Sequence, residues 1–99
     1  MIRIGQNFYI DKESTDSLTV SDEDNTLTKL TLTVKTMSLF PKVVLERAVA
    51  SIEGSMHTFH FIPDDTKNIR EGKYIYTVMG EYADGTVRPL IKNRLFVVM

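Results

Sequence analysis

The sequence contains no cysteine, which removes disulfides, thiolate nucleophiles and every zinc site built on sulfur. Stability then has to come from packing, which suits a reducing compartment. Alanine, the strongest helix former, occurs only three times in 99 residues. No apolar run approaches the roughly 20 residues that cross a bilayer as a helix, so a soluble chain is expected. The opening "MIRIGQNFYID" lacks the apolar stretch and small-residue cleavage site of a secretory signal. A net charge of -1 offers no excess of Lys and Arg to neutralise phosphates, which argues against a general nucleic-acid binder. The five glycines (Gly5, Gly54, Gly72, Gly80, Gly85) are dispersed, and no Gly-rich loop could cradle a phosphate.

What is present points to strands. The hydrophobic and charged fractions, 42% and 25%, are those of a globular chain, and 99 residues suffice for one core but not two. Val, Ile and Thr together number 28. Their β-branched side chains lose rotamer freedom in a helix and pack well on a pleated surface. "TKLTLTVKT" alternates strictly, with Leu30, Leu32 and Val34 on one face; this period of two predicts a half-buried strand. "HTFHFI" alternates likewise, with His57, Phe59 and Phe61 on one face and Thr58, His60 and Ile62 on the other.

"PKVVLERAVASI" could be read at helical spacing through Val44, Arg47, Ala48 and Ser51, but its Val-Val pair, the preceding Pro and the following turn favour a strand, and the Glu53-Gly54-Ser55 turn predicts a hairpin joining it to "HTFHFI". "IPDDTKNIREG" reads as a crossing loop with one helical turn around Thr66 to Ile69. "KYIYTVMGEY" is apolar on both faces, which predicts a central strand, and Asp84-Gly85 after it is a strong hairpin signal. The closing "VRPLI" and "RLFVV" read as strands, with Pro89 marking an edge or a bulge because it has no N-H to donate. "IRIGQNFYI" and "DSLTV" add two short strands near the start. Seven or eight strands separated by turn signals predict an all-β antiparallel sandwich or barrel. Its expected core is Leu30, Leu32, Val34, Val44, Phe59, Phe61, Tyr74, Tyr76, Val78 and Val97.

The candidate chemical groups form no constellation. His57 and His60 are three apart in a strand and point to opposite faces, so they cannot chelate one ion together. "DEDN" (Asp22 to Asn25) lacks the Gly and distal Glu of a calcium loop. Asp64 and Asp65 stand where a carboxylate would cap a helical turn. Ser14, Ser17 and Ser21 sit in no nucleophile elbow and have no His at a recognisable spacing. Tyr9, Tyr74, Tyr76 and Tyr82 could stack on a nucleic-acid base, but three of them belong to the strand expected to be central, where a tyrosine fills the core. Neither a catalytic residue nor a cofactor or metal site is expected.

The last third, "IREGKYIYTVMGEYADGTVRPLIKNRLFVV", resembles the C-terminal half of the immunoglobulin-like domains of phage tail and baseplate structural proteins. The resemblance rests on Gly72 and Tyr74 as Gly-x-Tyr, the Asp84-Gly85 hairpin, and the Phe96, Val97, Val98 ending. "LTLTV" and "MHTFHFI" are similar in kind to the family's middle strands, so the resemblance covers about two thirds of the chain. In such folds the Tyr bonds back to the preceding loop through its hydroxyl. Tyr76 occupies the place of the second Cys of antibody domains, and the chain has no Trp, which excludes the antibody type.

The resemblance implies an immunoglobulin-like antiparallel β-sandwich and a non-enzymatic phage or prophage virion component of a tail, baseplate or head attachment. Such a component is assembled in the bacterial host cytoplasm and binds other virion proteins and copies of itself. The family supplies no catalytic residues. Charge polarity suggests where contacts form. Residues 1 to 26 carry two basic against six acidic residues, and residues 85 to 99 carry three basic and no acidic ones. Asp22, Glu23 and Asp24 of one copy are therefore expected to face Arg88, Lys92 and Arg94 of the next. Two other readings remain open. One is a carbohydrate- or surface-binding sandwich using Tyr9, Tyr82 or Phe40; the other is a small mobile-element-encoded inhibitor of a host protein.

Overall fold

Each alternating segment of the sequence is a strand. The computed structural model describes residues 7–21, 27–49 and 56–99. They form β1 (Phe8–Ile10), β2 (Asp16–Ser21), β3 (Leu27–Thr36), β4 (Val43–Val49), β5 (Met56–Phe61), a short helix α1 (Pro63–Thr66), β6 (Gly72–Tyr82) and β7 (Val87–Val98). The fold is all-β. A curled five-stranded sheet has the order β1-β7-β6-β3-β4, and a second sheet pairs β2 with β5.

The long alternating strands take the interior positions of the larger sheet. β6 lies between β7 and β3, with Leu32 opposite Val78 and Val34 opposite Tyr76. Its inward residues Tyr74, Tyr76 and Val78 are buried and its outward residues Ile75, Thr77 and Met79 half-buried. Apolar character on both faces thus did mark a central strand. The β6–β7 hairpin closes at Asp84-Gly85: Gly85 takes φ 89, a left-handed conformation that glycine adopts without strain. The Thr86 N-H donates to Asp84 Oδ1 at 2.9 Å.

Four expectations need correction. β4 does not pair with β5; β4 pairs with β3, and β5 pairs with β2 in the other sheet. The proposed turn at Glu53-Gly54-Ser55 lies outside the described residues. Placing β5 in the second layer lets Phe59 and Phe61 face the first across the core, whereas side-by-side pairing with β4 would leave the large sheet uncovered. Secondly, the sheet is mixed rather than antiparallel: β1 runs parallel to β7, with Phe8 opposite Phe96, because the chain leaves β1 for the other layer instead of turning back.

Thirdly, the helical turn begins at Pro63, not Thr66. Proline at the first helical position loses no hydrogen bond, and a further turn follows in which Ile69 N-H donates to the Thr66 carbonyl at 3.0 Å. Fourthly, Val97 is not in the core. Phe96 pairs with Tyr74, so strand alternation turns Phe96 and Val98 inward and Val97 outward. "VRPLI" and "RLFVV" join as the single strand β7. Two extra residues on its β7 side shift the register between Tyr76 and Met79. These are β-bulges, and they put the consecutive residues Leu90 and Ile91 both inside.

One hydrophobic cluster draws on both sheets. Eight of the expected core residues are fully interior, and Val44 packs partly buried against them. Phe96 is its hub, with ring centroids 5.3 Å from Phe8, 6.0 Å from Phe61 and 5.9 Å from Tyr76. These tilted and edge-on geometries are the favoured ones for aromatic pairs.

Candidate functional site

The hairpin loop between β3 and β4 projects apolar side chains into solvent. Leu39 is 90% exposed and Phe40 85%, with Met37 and Val43 about half exposed beside them. Polar groups hold this loop. Lys42 N-H donates to Thr36 Oγ1 at 2.9 Å, the Thr36 hydroxyl meets Ser38 Oγ at 3.1 Å, and Ser38 Oγ donates to the Phe40 carbonyl at 2.9 Å. Each hydroxyl has one proton, so the chain runs in one direction: from the Lys42 amide through Thr36 and Ser38 to the Phe40 carbonyl. Pro41 adds a fixed φ. Turn chemistry therefore sets the loop's shape, and Met37, Leu39 and Phe40 are free to present themselves.

A groove of about 510 Å³ lies beside this tip, between the base of the β3–β4 hairpin and the α1 region. Its buried members are Ile69 and Tyr74, with half-buried Val44; its exposed members include Lys42, Asp64 and Arg70. Two contacts fix its walls. The Tyr74 hydroxyl donates to the Arg70 carbonyl at 2.5 Å, four residues upstream. Arg47, on the inner face of β4, forms an ion pair with Asp65. The second Asp65 oxygen accepts from Ile62 N-H at 2.8 Å, so Asp65 caps the helix by reaching back from its third position. The expected capping role holds for Asp65. Asp64 is exposed.

The interface candidates fare differently. Asp22, Glu23 and Asp24 lie outside the described residues. Arg88, Lys92 and Arg94 are exposed along β7, on the stretch before Phe96 that no described strand covers on its outer side. Charges, a proline and bulges are what proteins place on open sheet edges to block further pairing; here Arg88, Pro89, Lys92 and Arg94 supply them. The Arg88 guanidinium carbon lies 5.6 Å from the centre of the Tyr82 ring. Arg94 lies opposite Tyr76. Burial pushes the Tyr76 phenol above its ordinary value, and the Arg94 charge partly offsets this.

His57 is buried beside Phe59, and His60 faces out, on opposite faces as their spacing requires. The β2–β5 register sets Ser17 across from His60, a neighbour relation that sequence spacing did not reveal. Both residues are exposed on the open face of the small sheet, and the nearby Asp16 carboxylate accepts from the Ser17 amide at 2.7 Å. Ser14 Oγ donates to the Asp11 carbonyl at 2.5 Å. Among the described residues no three His, Asp or Glu side chains cluster as metal ligands, and no helix is long and apolar enough to cross a membrane.

The tyrosines divide as expected. Tyr74, Tyr76 and Tyr82 are interior, which removes Tyr82 from the expected sugar platform, while Tyr9 is 51% exposed. Tyr9 and Phe40 do not share a platform, because β7 and β6 separate β1 from β3 and its loop. Sequence reading named Phe40 as an exposed aromatic but missed the tip as a unit and the groove beside it. The available signal was the "MSLFP" stretch, which puts three large apolar residues at a strand-to-strand turn where polar residues are the rule. No protein-family model matches this chain, and no curated protein matches its sequence.

Proposed function

We propose that this chain is a non-enzymatic immunoglobulin-like adapter module of a phage or prophage virion, working through protein-protein contacts in a tail, baseplate or head attachment. The observation that carries the contact reading is the β3–β4 tip, where Leu39 and Phe40 stand in solvent on a loop that other residues hold in place. A monomer gains nothing from exposing them, and exposed apolar clusters of this kind mark contact sites.

The immunoglobulin-like part draws support from strand order. In that fold B pairs with E, while G, F and C lie adjacent with C′ added beyond C. The orders β2-β5 and β7-β6-β3-β4 correspond to these two layers. The Tyr74 hydroxyl bond to the Arg70 carbonyl corresponds to the tyrosine corner of such domains. A virion site of assembly follows from the resemblance of the last third, and Arg88, Lys92 and Arg94 with Asp22, Glu23 and Asp24 would serve as a secondary, salt-sensitive contact.

The test is fractionation. Particles from a lysate of the host that carries the gene are separated on a density gradient, and fractions are probed with an antibody to this chain. Co-migration with intact particles is expected. A chain found only at the top of the gradient would sink the virion reading.

A further inference from the structure

We propose that the outer face of the five-stranded sheet is the contact surface of a dimer, packed against the same face of a second copy of this chain. The observation behind it is a mismatch between pattern and cover. An antiparallel sheet with one face in water alternates apolar and polar residues, whereas strands covered on both faces read as apolar throughout. β6 and the end of β7 are of the second kind: Ile75, Met79, Leu95 and Val97 face away from the core on strands whose inward residues are buried. Among the described residues only the inward side has a second layer, the β2–β5 sheet. Ile75 lies opposite Leu95, and Val97 lies between Lys73 and Tyr9. These side chains form one apolar band that ends at the half-exposed Tyr9 ring.

Size and charge favour a second copy. At about 3.3 Å per residue and about 4.8 Å between strands, the five strands present a face of roughly 700 Å², close to the ~800 Å² that each partner brings to a stable interface. Alternation and register place five charged residues on this face of β3, β4 and β6: Lys29, Lys35, Glu46, Lys73 and Glu81. All lie at the ends of β3 and β6 or on the edge strand β4, and the middle, around Thr33 and Thr77, carries no charge. An apolar centre inside a charged rim is the anatomy of an interface. Charge also selects the arrangement. Along β6 the outward residues run Lys73, Ile75, Thr77, Met79, Glu81, and among the described residues neither Lys73 nor Glu81 has an ion-pair partner. Lys29, although opposite Glu81 in the β3–β6 register, makes none with it. Lys35 and Glu46, diagonal neighbours on β3 and β4, balance each other within each copy. A two-fold axis along the strands would set Lys73 of one copy on Lys73 of the other. An axis across them sets Lys73 against Glu81, Ile75 against Met79 and Thr77 against its own counterpart, and symmetry makes each unlike pair twice.

Sedimentation tests the proposal. The unmodified chain should give twice the 11.3 kDa mass. Met79→Lys, which puts a charge in the middle of the face at a half-buried position, should give a monomer of unchanged circular dichroism. Lys73→Glu and Glu81→Lys change exposed residues. Each alone should weaken dimerisation by roughly tenfold by setting like charges together, and the double variant should recover it. That recovery is specific to contact between copies. Lys73 and Glu81 are eight residues apart on one strand, roughly 26 Å at the rise of a strand, and cannot touch within one chain.

A monomer at every concentration would overturn the proposal, as would a dimer unaffected by Met79→Lys or a double variant no tighter than the single ones. Should Met79→Lys lose the fold, the charge exchange at the two exposed positions still decides. A dimer lost on Leu39→Ser with Phe40→Ser but kept on Met79→Lys would overturn the proposal in favour of contact through the tip. The virion reading stands or falls separately, on the migration of the chain with particles.

Discussion

Phe96 and Phe40 are the same side chain in opposite circumstances. Phe96 is 0% exposed and touches Phe8, Phe61 and Tyr76; Phe40 is 85% exposed, and it contributes its backbone carbonyl, not its ring, to the hydrogen bonds of its loop. Burying a phenylalanine is worth about 1.5–3 kcal/mol, so a chain that leaves Phe40 and Leu39 outside forgoes that gain twice. The interior does not need them, because two sheets already enclose a continuous cluster. What holds the fold together and what the fold leaves in solvent are thus separate groups of apolar residues, at different places in one small molecule.

The strongest test of this division is Phe96→Ala. It removes the ring at the junction of β1, β5, β6 and β7 and leaves a cavity that close packing cannot collapse, for an expected loss of about 3–5 kcal/mol. Urea denaturation monitored by circular dichroism would measure it. A loss below about 1 kcal/mol would mean that the aromatic cluster is loosely packed, and the contrast with Phe40 would disappear. Gly80→Ala sharpens the same side at a smaller scale. A β-carbon at Gly80 would lie 2.9 Å from Leu27 Cδ1, so the end of that buried side chain must shift, while Leu90 Cδ1 at 3.4 Å stays at the edge of ordinary contact. Overpacking of about 1–3 kcal/mol, reduced by the lower chain entropy of alanine in the unfolded state, leaves a net loss of about 1–2 kcal/mol. Equal or higher stability in the same titration would show that Leu27 moves freely.

Much of the interior was legible because it obeys one period. Leu30, Leu32 and Val34, and likewise Tyr74, Tyr76 and Val78, carry their faces in their spacing, and parity settles burial once a strand is recognised. Parity fails where the chain inserts residues. The bulges in β7 place Leu90 and Ile91 inside together, and Val97 was assigned inward for want of the Tyr74 to Phe96 register. Layer assignment was illegible for another reason: β4 and β5 look alike as strands, and nothing local says that one turns beside β3 and the other crosses to β2. The site was less legible still. Alternation says which face of a strand is buried, but a loop has no period, so the tip at Leu39 and Phe40 is visible only as apolar residues in an unexpected place.

Tyr74 belongs to both regions, its ring buried in the core and lining the groove, its hydroxyl on the Arg70 carbonyl. Tyr74→Phe keeps the ring and removes that bond. Because Arg70 is exposed and water can replace the lost donor, the expected cost is about 0.5–1 kcal/mol. Urea denaturation would measure it. No loss at all would show that the wall of the groove holds without the bond to the Arg70 carbonyl.

The smallest expected change in stability belongs to the largest change in exposed surface chemistry. Leu39→Ser with Phe40→Ser replaces two apolar side chains by polar ones, yet the Thr36, Ser38 and Lys42 bonds that shape the loop use none of the atoms removed. Substitutions at sites this exposed usually stay within about 0.5 kcal/mol, and a polar replacement relieves unfavourable hydration. Urea denaturation should therefore give matching midpoints for both proteins. A large loss would mean that Leu39 and Phe40 support the fold after all, and the division between the two phenylalanines would fall.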